Sequence, residues 1–290
     1  MLWQGRRESS NVDDRRGMSG GKLAAGGGII GVIALVLNFL LGGGEGDTQL
    51  PQLPTQTQQE QLSPEEQAAD DQRAKFVKVV LATTEDVWGN LLPTMGKSYP
   101  APTLVLFRDV VQSACGNASS ASGPFYCPGD GQLYIDLSFY QELQSRFKAP
   151  GEFAMAYVVA HEVGHHIQNL MGTSEKVQRL RGQVSKEEYN QYSVRLELQA
   201  DFYAGVWANH AQKIKSEDGR NIINSEDINQ ALTAANAIGD DRLQKESQGY
   251  IVPESFTHGT SAQRMYWFKK GFETGDVRQG DTFAANAMDN

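Results

Sequence analysis

The order of elements along the chain predicts an α+β domain preceded by one N-terminal transmembrane helix. Three observations carry this. Residues 23–41 contain no charge, two β-type segments lie early in the remainder, and almost everything after residue 150 has helical spacing. Strands first and helices afterwards favour α+β over alternating βαβ units. With 290 residues, 40% of them hydrophobic and 21% charged, the chain can form one sizeable core plus extra segments, or two small domains.

In chain order, residues 1–22 carry five cations (Arg6, Arg7, Arg15, Arg16, Lys22) and three anions (Glu8, Asp13, Asp14), net +2 against −9 for the whole. The rest therefore carries −11, which argues against nucleic acid as a partner, because a phosphate backbone selects a basic footprint. The apolar run "LAAGGGIIGVIALVLNFLL" from Leu23 to Leu41 comes close to the ~20 residues needed to cross a bilayer as a helix. Cations precede it, and the next Lys or Arg is Arg73. The positive-inside rule then gives a single-pass protein of the cell's inner (cytoplasmic) membrane, with residues 1–22 cytoplasmic and the remainder periplasmic or otherwise extracytoplasmic. A cleaved signal peptide is the competing reading, but it expects a shorter apolar region and a small-residue cleavage site. Residues 42–73 are rich in Gly, Gln, Pro and acids and read as a flexible linker, since they bury too little to offset the entropy of ordering. Near its end Ser63-Pro64-Glu65-Glu66 has the pattern of a helix N-terminus. The folded domain is expected to begin at about 64–74, and 74–290 is taken as its extent.

Within it, 76–92 has helical spacing and 103–109 ("TLVLFRD") is rich in strand formers. In 132–139, Leu133, Ile135 and Leu137 alternate with Tyr134, Asp136 and Ser138, the pattern of a half-buried strand. Helices are expected over 151–171, 185 to about 215, 225–238 and 260–273. Cys115 and Cys127 are the only cysteines. In an oxidising compartment two cysteines so close in a turn-rich loop favour a disulfide, worth about 3 kcal/mol in the chain-entropy model. Free thiols and a metal site are the alternatives, and no His lies nearby to complete a metal site.

The chemistry concentrates in "VVAHEVGHHIQNLMG", 158–172, which holds three of the five histidines. On a helix His161 and His165 share one face, one turn apart, so both imidazoles reach a single Zn²⁺ with Glu162 beside them. H-E-x-x-H supplies two ligands and a general base. A catalytic zinc ordinarily takes three protein ligands and leaves a place for water. Glu197, in "RLELQADFYAG", is the expected third. Asp201 follows one turn later, placed to hold a ligand histidine by its other ring nitrogen. The bland alternatives are a satisfied core histidine pair and two solvated helix charges. Against them, the small or aliphatic Ala154, Val158, Val159, Ala160 and Gly164, and the apolar residues around Glu197 and Asp201, imply burial, and buried unpaired charges are costly.

His161-Glu162-x-x-His165 followed by Glu197-x-x-Ala200-Asp201 resembles a gluzincin. "GRRESSNVDDRRG", "FYCPGDGQLYIDLSF", "AHEVGHHIQ", "ELQADFYAG" and "SFTHGTSAQRMYWFKKGF" together resemble the bacterial family of neutral zinc metallopeptidases over nearly the full length. The resemblance implies a zincin-like domain with a small sheet and helical bulk, one Zn²⁺, and an edge strand over the metal, here 131–138. It also implies a His followed six residues later by an Arg near the site: His258 as a catalytic, oxyanion-stabilising or substrate-positioning residue, and Arg264 as a contact for substrate or transition state. For these last two, a loop with a helix cap and a structural ion pair remain the simpler alternatives. The expected function is a membrane-anchored zinc endopeptidase that hydrolyses extracytoplasmic proteins with Glu162 as general base. The rival is a catalytically silent zincin-fold interaction module of the cell envelope.

Overall fold

The structure is a computed structural model that describes residues 1–17 and 62–287. The apolar run 23–41 lies outside the described residues. Among them, no helix is long and apolar enough to cross a membrane.

The expected mixed architecture is present. A four-stranded sheet has the order β1 (Val12–Asp14), β2 (Thr103–Phe107), β6 (Gln132–Asp136), β5 (Phe125–Cys127). β1, β2 and β6 run parallel, and β5 pairs antiparallel with β6. Between β2 and β5 a small hairpin is formed by β3 (Val110–Ser113) and β4 (Gly116–Ser119). Cys115 and Cys127 form a disulfide that ties the hairpin's turn to β5. The helices are α1 (Pro64–Thr94), α2 (Phe139–Ser145), α3 (Glu152–Met171), α4 (Thr173–Arg179), α5 (Lys186–Ala211), α6 (Ser225–Ala237), α7 (Asp240–Gln248) and α8 (Ser261–Thr274).

Local signals set the helix ends. Ser63 caps α1 through a capping box with Glu66, and Pro64 occupies the first turn. Ser185 accepts from the Glu188 N–H at the start of α5. Gly172 ends α3 in the left-handed conformation, φ 76°, as expected of a C-terminal glycine.

Three expectations are corrected. Residues 1–17, expected to stand apart from the folded domain, belong to the body, with β1 pairing to β2 and Trp3 buried, while α1 starts at Pro64. Strand 132–136 is not half-exposed. Tyr134 and Asp136 are as buried as Leu133 and Ile135, because the hairpin and β5 cover the second face with Val111, Cys127 and Phe125. Nor is it the edge strand. β6 lies inside the sheet, and the strand at the edge beyond it is β5, whose phenylalanine stacks on Tyr134 at 4.7 Å.

The main core joins α1, α3, α5 and the inner face of the sheet, through Trp88, Tyr157, Phe153, Phe202 and Trp207 among others. α3 and α5 cross with almost no gap. A Cβ on Gly164 would lie 2.8 Å from the Ala200 carbonyl oxygen. α5 and α8 meet in the same way: a Cβ on Gly205 would lie 2.0 Å from the Phe268 carbonyl oxygen. Small residues at these crossings let main chains touch, which fixes how the side chains beside them face each other.

Candidate metal centre

The close crossing of α3 and α5 at Gly164 and Ala200 sets the side chains next to it and one turn before it opposite each other. His161 and His165 project from α3, and Glu197 and Asp201 from α5. Among the described residues, His161, His165 and Glu197 form the one group of three whose ligand atoms converge, all within 4.8 Å of one another.

The hydrogen bonds decide which ring nitrogens face inward. His161 Nδ1 lies 2.8 Å from Asp201 Oδ1. Asp201 is fully buried, yet its carboxyl is held below the usual range: burial raises it, and the charges of Arg264 and His161 outweigh that. As an ionised carboxylate it only accepts, so Nδ1 carries the proton. His165 Nδ1 lies 2.9 Å from Gln168 Oε1. The Gln168 amide is oriented by its Nε2, which donates to the Leu196 carbonyl at 2.6 Å and to Gln199 Oε1 at 3.2 Å. This Nδ1 also donates. Both Nε2 atoms therefore turn lone pairs inward, 3.2 Å apart. Glu197 Oε2 lies 3.1 Å from the first, and Oε1 3.4 Å from the second. Three acceptors facing each other in a mostly buried site repel unless a cation sits among them. Two imidazoles and a carboxylate suit Zn²⁺, so the residues present fit the metal their pattern implies.

Without a metal, protons take that place. Burial pushes the His161 imidazolium down, but Asp201 and Glu197 outweigh it and lift it to about 10. His165 is also raised, by Glu197 against burial, and Glu197 is held well below its usual range by the histidines around it.

Over residues 1–283 the sequence matches the family described as "Putative neutral zinc metallopeptidase". The chain belongs to this family. It is 47% identical over 293 residues to the uncharacterized protein YpfJ of Escherichia coli K12, covering 98% of this chain and 99% of that one. It is 44% identical over 225 residues to the uncharacterized protein Rv2575 of Mycobacterium tuberculosis H37Rv, covering 75% and 73% of the two chains. No solved structure matches. The family supplies zinc as the metal implied for this site.

In this member of the family Glu162 is 7% exposed and stands next to His161 in the chain. Burial raises its carboxyl, while His165, His161 and the main-chain N–H of Tyr126 on β5 act in the opposite sense. The β5 edge thus passes next to the expected base. His258 is placed differently from the ligands. Its side chain is 51% exposed, with Nδ1 3.3 Å from Asp240 Oδ1. Asp240 Oδ2 accepts from the main-chain N–H groups of Thr257, His258 and Gly259, which fixes the loop. The negative charge of Glu197 raises His258 against its desolvation.

Arg264 is corrected from substrate contact to internal ion pair. It is 3% exposed, and its Nε donates to Asp201 Oδ2 at 2.8 Å. A guanidinium enclosed in this way cannot reach a substrate. It neutralises Asp201, which in turn aligns His161.

Sequence reasoning missed four contributors. Tyr157 donates its hydroxyl to Asp201 Oδ1 at 2.5 Å, and Gln168 aligns His165. They stand four residues before His161 and three after His165, so the helical repeat that paired the histidines also marked them. Asp240 and Tyr126 had no local signal. His166 is buried, which its place next to a ligand left open. Its Nε2 donates to the Pro100 carbonyl at 2.7 Å, so its Nδ1 accepts from the Tyr126 hydroxyl at 3.1 Å, and α3 thereby grips the edge strand.

Proposed function

We propose that this chain is a zinc-dependent endopeptidase acting on extended segments of extracytoplasmic protein substrates. The observation that carries the reading is the inward convergence of two imidazole lone pairs and a carboxylate whose outer hydrogen bonds are already assigned, with a further carboxylate, Glu162, beside them. A bound Zn²⁺ would supply a Lewis acid and acidify a water to a pKa of ~7.

The chain's own residues perform the rest. Glu162, raised by burial, is suited to accept a proton from the attacking water at its carboxylate and return it to the leaving nitrogen. Asp201, held by Tyr157 and Arg264, keeps the His161 proton on Nδ1. Gln168 does the same for His165. His258 stands at the rim with Asp240 behind its Nδ1; in the imidazolium form that Glu197 and Asp240 favour against desolvation, its Nε2 would donate toward the oxygen on which charge develops. β5 is the edge strand beside Glu162, and an extended substrate would lie alongside it, a mode of binding without strong sequence demands. This moves the expected binding edge from 131–138 to 125–127. The Cys115–Cys127 bridge supports a location in an oxidising compartment.

The test is hydrolysis of unfolded casein by the zinc-loaded full chain, with Glu162→Gln as control. A general base contributes roughly 10²–10⁴-fold, so the variant is expected to lose at least that while binding zinc with unchanged stoichiometry. Equal turnover by both forms, or none by the zinc-loaded parent, would sink the proposal and favour the non-catalytic module.

A further inference from the structure

The segment before the apolar run is built into the body that follows it. β1 pairs with β2 over Val12↔Leu104, Asp13↔Val105 and Asp14↔Leu106. The Trp3 indole donates to Glu152 Oε2 at 3.0 Å and meets Phe76 edge-on at 5.6 Å. Arg7 donates to Glu85, to Asp86 and to the Ala82 carbonyl, each at 2.8 Å. Ser9 and Asn11 both donate to Glu85 Oε1. Arg16 donates to Asp70 Oδ2 at 2.5 Å, and Arg108 of the sheet reaches the same oxygen at 2.6 Å. Asp70 is buried, so these partners compensate a charge that would otherwise be costly.

This packing fixes where the intervening stretch leaves and rejoins the body. Gly17 ends the first described segment, and Gln67, one turn into α1, lines the same surface pocket, with Asp14, Arg16 and Arg108. The two flanks of residues 18–61 meet at one face. A chain that crosses a bilayer once has its flanks on opposite sides. A return crossing by residues 42–61, "GGGEGDTQLPQLPTQTQQEQ", would leave polar main chain and side chains unsatisfied in hydrocarbon.

We propose that residues 1–17 and 62–287 share one compartment, in place of lying on opposite sides of a membrane. The inference rests on packing and is independent of the peptidase reading. It replaces the topology expected from the positive-inside rule, with residues 1–22 cytoplasmic and the domain outside. That rule weighs charge near a span, whereas the folded state requires residues 1–17 and 62–287 to be in contact.

The test uses the full chain carrying either Gln4→Cys or Tyr250→Cys, both exposed positions. The native cysteines are bridged and serve as the silent background. A membrane-impermeant maleimide is applied to intact spheroplasts and to detergent-permeabilised ones. Both positions are expected to label to the same extent before permeabilisation. If one labels from outside and the other only after lysis, the proposal is overturned. If both are protected until lysis, the shared compartment stands and only the extracytoplasmic siting fails. A second readout guards against undocking of the N-terminal segment. Arg16→Glu opposes Asp70 and is expected to lower the Tm of the detergent-purified chain by several degrees. An unchanged Tm would show residues 1–17 detached and would likewise overturn the proposal.

Discussion

The ligand-bearing helices and the N-terminal segment are packed into one body by opposite means. α3 and α5 touch main chain to main chain at Gly164 and Ala200, and the polar groups around that crossing form one connected network. Tyr157, His161 and Arg264 all converge on Asp201. Residues 1–17 are held by scattered contacts to α1, α3 and the sheet, none of which involves a metal ligand. Damage to the first region should therefore affect stability and metal affinity together, whereas damage to the second should affect stability alone.

The largest expected effect is at the centre of the network. Asp201→Ala leaves Arg264 buried without its partner, which costs about 3–5 kcal/mol. Urea denaturation should show that loss, and zinc affinity should fall with it as His161 loses its alignment, on the order of 10–100-fold. Adding Arg264→Met is expected to restore much of the stability but not the zinc affinity. Restoration of both would mean that the pair serves packing only.

Next comes the N-terminal segment. Trp3→Ala removes a buried aromatic at the margin of the core and should cost about 3 kcal/mol. Zinc affinity measured by competition with a chromophoric chelator should stay within about twofold. A parallel loss of zinc would show the two regions to be coupled.

Gly164→Ala is smaller in atoms but lies at the crossing. Overpacking there costs roughly 1–3 kcal/mol, and separating α3 from α5 should weaken zinc binding, measured by the same competition. Unchanged affinity would show that the crossing does not set the ligand geometry.

The mildest perturbation is pH. In the metal-free protein His161 is raised from 6.5 to about 10 by Asp201 and Glu197 acting against burial. The sign for stability follows: this stabilisation is fully present below 6.5 and is lost as pH rises through about 10. For metal binding the sign reverses, because the cation must displace that proton. Zinc affinity should rise by about tenfold per pH unit between pH 6 and 8 for each proton released, as isothermal titration in buffers of different ionisation enthalpy would read. A flat profile would mean that the site is deprotonated before metal arrives.

What was legible in the sequence follows the range of each interaction. His161, Glu162 and His165 lie within one turn, and Glu197 with Asp201 within another, so helical periodicity revealed each half. Small and aliphatic neighbours marked the surfaces as buried, and their joining was inferred from the need to partner buried charge. Gly164 and Ala200 supply the physical contact behind that inference. The strands were harder to read. Tyr134 and Asp136 suggested an exposed face because alternation cannot reveal that a later hairpin covers it. β5 was missed because it is only three residues long and lies between Gly123-Pro124 and Pro128-Gly129. β1 was missed because its partner, Leu104, is 92 residues away and its sequence, "VDD", has no strand character of its own. Arg264 was misassigned because sequence does not show that the same carboxylate serves His161 on one side and a guanidinium on the other.

The contact at Gly164 has a consequence for which ions the centre admits. Where two helices are kept apart by side chains, a cavity can adjust by changing rotamers. Here carbonyl and Cα of one helix rest against the other, so a cation wider than the gap has to lever two backbones apart. Discrimination by ionic radius would then be set partly in the scaffold, one residue from the ligand His165, in addition to the choice made by the ligand types.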